Sequence, residues 1–124
     1  CHSMPHEAIE AAVGAGKPKP EIVLGDRFGA AASGAVVDMV EEAFTALGLR
    51  VVRNTPFAGA YTAQHYGRPS RGQHVVQVEI DRSLYMNERL VRPSPDFAQF
   101  KALITQVMAR LVQIGQEQPP LAAE

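Results

Sequence analysis

HVVQVEIDRSLYM, residues 74–86, is the stretch on which the fold turns. Its first half alternates as a strand does, with Val76, Val78 and Ile80 on one face and Val75, Gln77 and Glu79 on the other. Glu79 thus shares a face with Gln77, near the expected carboxyl end of the strand. Open α/β sheets gather ligands at the carboxyl ends of their strands, so a carboxylate there can meet a reacting group. By position alone a solvated glutamate on an edge strand is the simpler reading. The rest of the chain decides between the two.

Upstream, EIVLG at 21–25 is a short apolar run between a Pro-punctuated loop and Gly25-Asp26, the pattern of a buried strand. From Ser33 the period becomes helical: Ser33 can cap, Val36, Val37, Val40, Phe44 and Leu47 recur at three and four, and Gly48 stands at the stop. LRVVRN at 49–54 follows as the next strand, which predicts a parallel crossover between neighbours. Residues 1–20 read as an irregular lead-in with a short helical turn over Glu7–Val13. Residues 55–73 hold glycines, prolines, two tyrosines, a histidine and two arginines without sustained period, and read as a functional or mobile loop.

Downstream, Ser83 to Arg89 reads as a helical turn before the Arg92-Pro93 breaker. Ser94, Pro95 and Asp96 then open a last helix as cap, first helical residue and dipole partner. Phe97, Phe100, Ile104, Val107, Met108, Leu111 and Ile114 form its apolar stripe, which is core packing. The expected organisation is one α/β domain over residues 1–118, with a frayed tail at 119–124.

A chain of 124 residues fits one domain. Hydrophobic residues make up 46% and charged residues 20%, ordinary values for a globular protein. The formal charge is −1, and the 12 basic and 13 acidic residues are mixed, which argues against nucleic acid as a partner. No apolar run reaches membrane-spanning length and no charged leader precedes one, so the expectation is a cytoplasmic chain with no membrane partner. The single cysteine, Cys1, excludes an intrachain disulfide. Opening on CHSMPH without an initiating Met, the chain reads as a fragment or processed product. A sheet cut at Cys1 would bare an edge and apolar surface, which predicts self-association.

Three readings are open for the first residues. His2 is a solvated imidazole, or a zinc ligand in need of further His, Asp or Glu partners, or a neighbour of Cys1 acting as an amino-terminal nucleophile. His6 lies close, but the proline of HSMPH interrupts any i, i+4 helical pair.

CHSMP at 1–5, IVLGDRFG at 22–29, NTPFAGAYTAQHYGRP at 54–69 and HVVQVEIDRSLYM at 74–86 together resemble the carboxyl-terminal half of the N-formylglutamate amidohydrolase family. The resemblance implies a mixed sheet flanked by helices, of the zinc carboxypeptidase and aspartoacylase (phosphorylase/hydrolase-like) kind, here incomplete. It implies a zinc-dependent deformylase acting on a small N-acyl amino acid such as N-formylglutamate, in amino-acid degradation including histidine catabolism. His2 matches the family's third zinc ligand and Glu79 its general base. A carboxylate base suits deprotonation of a zinc-bound water and return of the proton to the leaving amine.

Arg27, Arg68 and Arg82 are candidates for the substrate carboxylate, since a guanidinium fork matches its geometry. Asn54 and Tyr61 are candidates for the pocket lining, against the alternative of local loop hydrogen bonds. The sequence departs from the family pattern at Phe57 and at Gly59-Ala60, where Tyr and a Gly-Gly pair are common. It also holds nothing like the early zinc-ligand motif, so the remaining Zn2+ ligands are expected upstream of Cys1, and the chain alone is expected to be inactive. The alternative function is a non-catalytic α/β module binding a small anion through Arg27, Arg68 and Arg82.

Overall fold

Ile22, Val23 and Leu24 are all fully buried, which requires cover on both faces of the strand that carries them. The computed structural model describes residues 1–14 and 16–117 and places that strand inside a mixed sheet. Its members are β1 (His2–Met4), β2 (Ile22–Gly25), β3 (Val51–Arg53) and β4 (Gln77–Asp81), in the spatial order β1-β4-β2-β3. β2 and β3 run parallel, as the strand–helix–strand pattern predicts, and β1 runs parallel to β4. β4 runs antiparallel to β2, with Ile22 opposite Ile80 and Gly25 opposite Gln77.

Helices cover both faces. α2 (Gly34–Thr45) and α4 (Phe97–Glu117) pack on the face that presents Ile22, Leu24 and Val78, where Val40, Phe44, Val107 and Ile114 complete the main core. α1 (His6–Val13) lies over the opposite face and buries Ile9 against Met4 and Val23. Period-2 alternation therefore puts Gln77, Glu79 and Asp81 on the α1 side, with His2 and Met4 of β1.

Several expectations are corrected. The helical turn expected over Glu7–Val13 is α1, but the lead-in ahead of it is not irregular: it supplies β1, because three residues find a partner strand far along the chain. β4 begins at Gln77 and not at His74, because Val75 N donates to Ala31 O and Ser33 N donates to His74 Nδ1, which ties the preceding residues to a loop. Glu79 is consequently the middle residue of β4 and does not stand at its carboxyl end. Residues 55–73 contain a helix, α3 (Tyr61–Tyr66), and a 3-10 turn over Pro69–Arg71.

Ser33 caps α2 as expected, accepting from Val36 N at 3.4 Å. Ser94 does not cap α4: its hydroxyl is buried without a hydrogen-bond partner, and the helix starts at Phe97. Ser94 is instead held from behind, its N donating to Tyr85 O, where a small hairpin of β5 (Met86–Asn87) and β6 (Arg92–Pro93) replaces the expected helical turn after a 3-10 turn at Arg82–Leu84. The tail expected at 119–124 lies outside the described residues. No helix among those residues is long and apolar enough to cross a membrane.

Candidate active site

β4 opposes β2 in direction, so its amino end meets the carboxyl ends of β2 and β3 at one rim of the sheet. Side chains from both strand senses gather there. His2 opens β1 in register with Glu79, and its Nδ1 lies 3.2 Å from Glu79 Oε1. A carboxylate can only accept, so the imidazole donates through Nδ1–H, and in its neutral form Nε2 keeps the lone pair. Glu79 is 7% exposed, while the His2 side chain is 63% exposed. The acid is seated in the protein and the imidazole reaches outward from it.

Gln77 precedes Glu79 by two residues and shares its face. Its Nε2 donates to Glu79 Oε1 at 2.8 Å, and its Oε1 accepts from Ala60 N at 2.9 Å. Oε1 of Glu79 thus holds two donors, whereas no hydrogen bond to Oε2 is made among the described residues. Next to the pair opens a cleft of about 280 Å³ lined by Cys1, His2, Ala60, Tyr61, Thr62 and Gln77. Tyr61 is largely exposed at the start of α3 and stacks on His65, ring centroids 5.0 Å apart. A larger hollow of about 380 Å³, between α2, α4 and β4, is walled by Val36, Val40, Val78, Leu111 and Ile114. Its histidine, His74, is already occupied by Ser33 N.

The loop after β2 is wound tightly behind the cleft wall. Arg27, Phe28 and Gly29 all have positive φ, as does Asn54 after β3. Asn54 braces this loop: its amide donates to Asp26 Oδ1 and accepts from the Asp26 and Phe28 amides. Asn54 is therefore engaged within the loop, while Tyr61 lines the cleft. Arg27 lies along Gly59, donating to its carbonyl at 3.4 Å. Arg68 is turned to the Gln64 and Gly67 carbonyls. Arg82 donates to the hydroxyl and carbonyl of Ser3, a residue that alternates to the face away from His2. The three arginines are thus held by three different segments.

Sequence reading passed over two features of this face. Gln77 shares a face with Glu79 by alternation, but period 2 names a face and not a partner. One step further along β4, buried Asp81 accepts from His6 Nδ1 at 2.8 Å and caps the following turn through Ser83 N. The same His6 donates its backbone N–H to Glu88. This second acid–imidazole contact pins the start of α1 to the sheet.

Zinc needs three protein ligands at a hydrolytic site. Among the described residues no group of three or more His, Cys, Asp or Glu is placed to hold a metal ion. His2, with Nδ1–H on a carboxylate and its side chain 63% exposed, has the arrangement of one such ligand, and the other described side chains do not complete the set.

The family model for N-formylglutamate amidohydrolase matches residues 1–86, which contain β1, the loop after β2, α3 and β4. The N-formylglutamate deformylase of Pseudomonas aeruginosa is 31% identical over 101 residues, which cover 79% of this chain and 38% of that protein. The crystal structure of an N-formylglutamate amidohydrolase from Ralstonia eutropha JMP134 superposes with a TM-score of 0.78 at 32% identity, covering 93% of this chain and 41% of that one. The chain therefore spans about two fifths of the length of both.

Proposed function

The chain belongs to the N-formylglutamate amidohydrolase family, and from that membership we propose that it carries the general-base part of a site that hydrolyses a small N-acyl amino acid. N-formylglutamate, releasing formate, is the substrate type. The observation that carries the proposal is the 3.2 Å contact of His2 with Glu79, made beside the cleft that Tyr61 lines.

Glu79 is the base. Seated beneath the rim with Oε1 already bound by two donors, it has Oε2 for the proton of an attacking water and for its delivery to the leaving amine. His2 is one zinc ligand through Nε2, and the others come from outside this chain, in a fold of the zinc carboxypeptidase and aspartoacylase kind. Zinc at such a site would supply Lewis acidity. Arg27, lying against Gly59 next to Ala60 and Tyr61, is the arginine we assign to the substrate carboxylate, because its guanidinium is held beside the cleft loop by one long contact. A cytoplasmic place in amino-acid degradation belongs to the same proposal.

The anion-binding alternative needs Arg27, Arg68 and Arg82 to converge. They are engaged by Gly59, by Gln64 and Gly67, and by Ser3, so no observation favours it.

The test is formate release from N-formyl-L-glutamate by the full-length protein carrying this chain, with and without a chelator. Glu79→Gln is expected to lower kcat by about 10²–10⁴-fold, the usual worth of a general base, with zinc content unchanged. Full activity in that variant rejects the base; activity indifferent to chelation rejects the metal.

A further inference from the structure

We infer that Gln77 is a positioning residue for Glu79, the side chain that fixes the carboxylate through Oε1 and leaves Oε2 for the proton. The inference rests on the reading of Glu79 as general base and assigns a role to a residue that reading does not use.

The geometry begins with the pleat. Residues two apart on a strand project from the same face, within reach of one long side chain, and an Asn at 77 would be one methylene short. Gln77 spans the gap and spends both halves of its amide: Nε2 on Glu79 Oε1 at 2.8 Å, Oε1 on Ala60 N at 2.9 Å. A free primary amide rotates; this one is fixed at both ends. The far anchor is the N-cap of α3, the residue before Tyr61, so the same side chain joins the cleft wall to the acid.

On Glu79 the consequence is a fixed carboxylate plane. His2 and Gln77 both donate to Oε1, which ties that oxygen down and leaves the second oxygen for chemistry. His2 alone does not achieve this, because a single donor leaves the carboxylate free to turn about it.

The two halves of the amide can be separated. Gln77→Glu retains an acceptor for Ala60 N and removes the donor to Glu79; Gln77→Met removes both at similar length. In the full-length protein we expect both variants to lower kcat on N-formyl-L-glutamate by about 10–100-fold, the range for groups that orient active-site side chains, with KM and zinc content unchanged. Hydrogen–deuterium exchange of the peptide across residues 58–63 should quicken in Gln77→Met and stay at the unsubstituted level in Gln77→Glu. A residue that only held the loop would leave Gln77→Glu fully active, and that result overturns the inference, as does unchanged exchange in Gln77→Met. An unsubstituted protein that releases no formate sinks the amidohydrolase reading itself and the inference with it. An active protein whose Gln77→Glu form turns over as fast sinks the inference alone.

Discussion

Asn54 and Asp26 hold each other through both ends of the asparagine amide, Nδ2 donating to Asp26 Oδ1 at 2.6 Å while Oδ1 accepts from the Asp26 amide at 3.1 Å. Asp26 is 6% exposed, so the contact is made largely out of water. Asn54→Ala leaves a buried carboxylate oxygen and a backbone N–H without that partner, and the expected loss is about 1–3 kcal/mol in urea denaturation. Asn54→Gly separates hydrogen bonding from backbone strain. It relieves the positive φ at 54 yet should destabilise as well, because the amide and not the dihedral holds the loop. A glycine variant more stable than the original would contradict this.

Gly25 ends β2 directly beneath the cleft wall. A Cβ there would stand 2.6 Å from the Ala58 carbonyl carbon and the Gly59 nitrogen, both backbone atoms with no rotamer to yield. Gly25→Ala should therefore push the 58–60 segment outward and cost about 1–3 kcal/mol, as overpacking does. Faster exchange across residues 58–63, measured beside the denaturation midpoint, would show that the wall itself has moved.

Ser94 offers a clean contrast between two accounts of one residue. A capping serine replaced by alanine loses about 1 kcal/mol. The Ser94 hydroxyl is buried and unpartnered, so its removal takes away an unsatisfied group instead of a bond. Ser94→Ala is expected to be neutral or slightly stabilising in thermal unfolding; a drop of the capping size would restore the cap.

Lys19 hydrogen-bonds to Glu10 on α1 and its charge adds to the effect, holding the Glu10 carboxyl below the ordinary glutamate range. His6, whose Nε2 lies 3.6 Å from the same carboxylate, pulls in the same direction. A carboxyl depressed in the folded state contributes stability above its unfolded value, and that contribution is lost as the pH falls through the folded one. Lys19→Ala should raise the Glu10 midpoint in a carboxyl NMR titration. No change would mean that the ammonium is not its partner in solution.

What could be read beforehand followed the range of each signal along the chain. α2 announced itself through the Ser33 cap and the apolar spacing from Val36 to Phe44, because a helix writes its bonds and its buried face into neighbouring residues. β2 was legible as an apolar run for the same reason. β1 was not: three residues show a single alternation, and the partner strand that makes them a strand lies far along the chain. The antiparallel run of β4 against β2 was equally hidden, since alternation names faces and not neighbours, and the start of β4 at Gln77 was masked by the apolar residues before it, so Glu79 was expected at the carboxyl end of a strand whose middle it occupies. Six-residue α3 is under two turns, too short for a helical period to emerge from residues 55–73. The pairing of His2 with Glu79 came through resemblance of whole segments, whereas Gln77 and the His6–Asp81 contact needed coordinates, because a shared face does not say which groups will touch.

His2 and Glu79 stand 77 positions apart in the polymer. During synthesis the first strand therefore leaves the ribosome long before its mate exists, and only when residues 77–81 have emerged can the two pair. Contacts of such separation carry the entropy cost of closing the intervening chain. The rim where the two side chains meet thus cannot assemble until β4 has been made, however early β1 emerges.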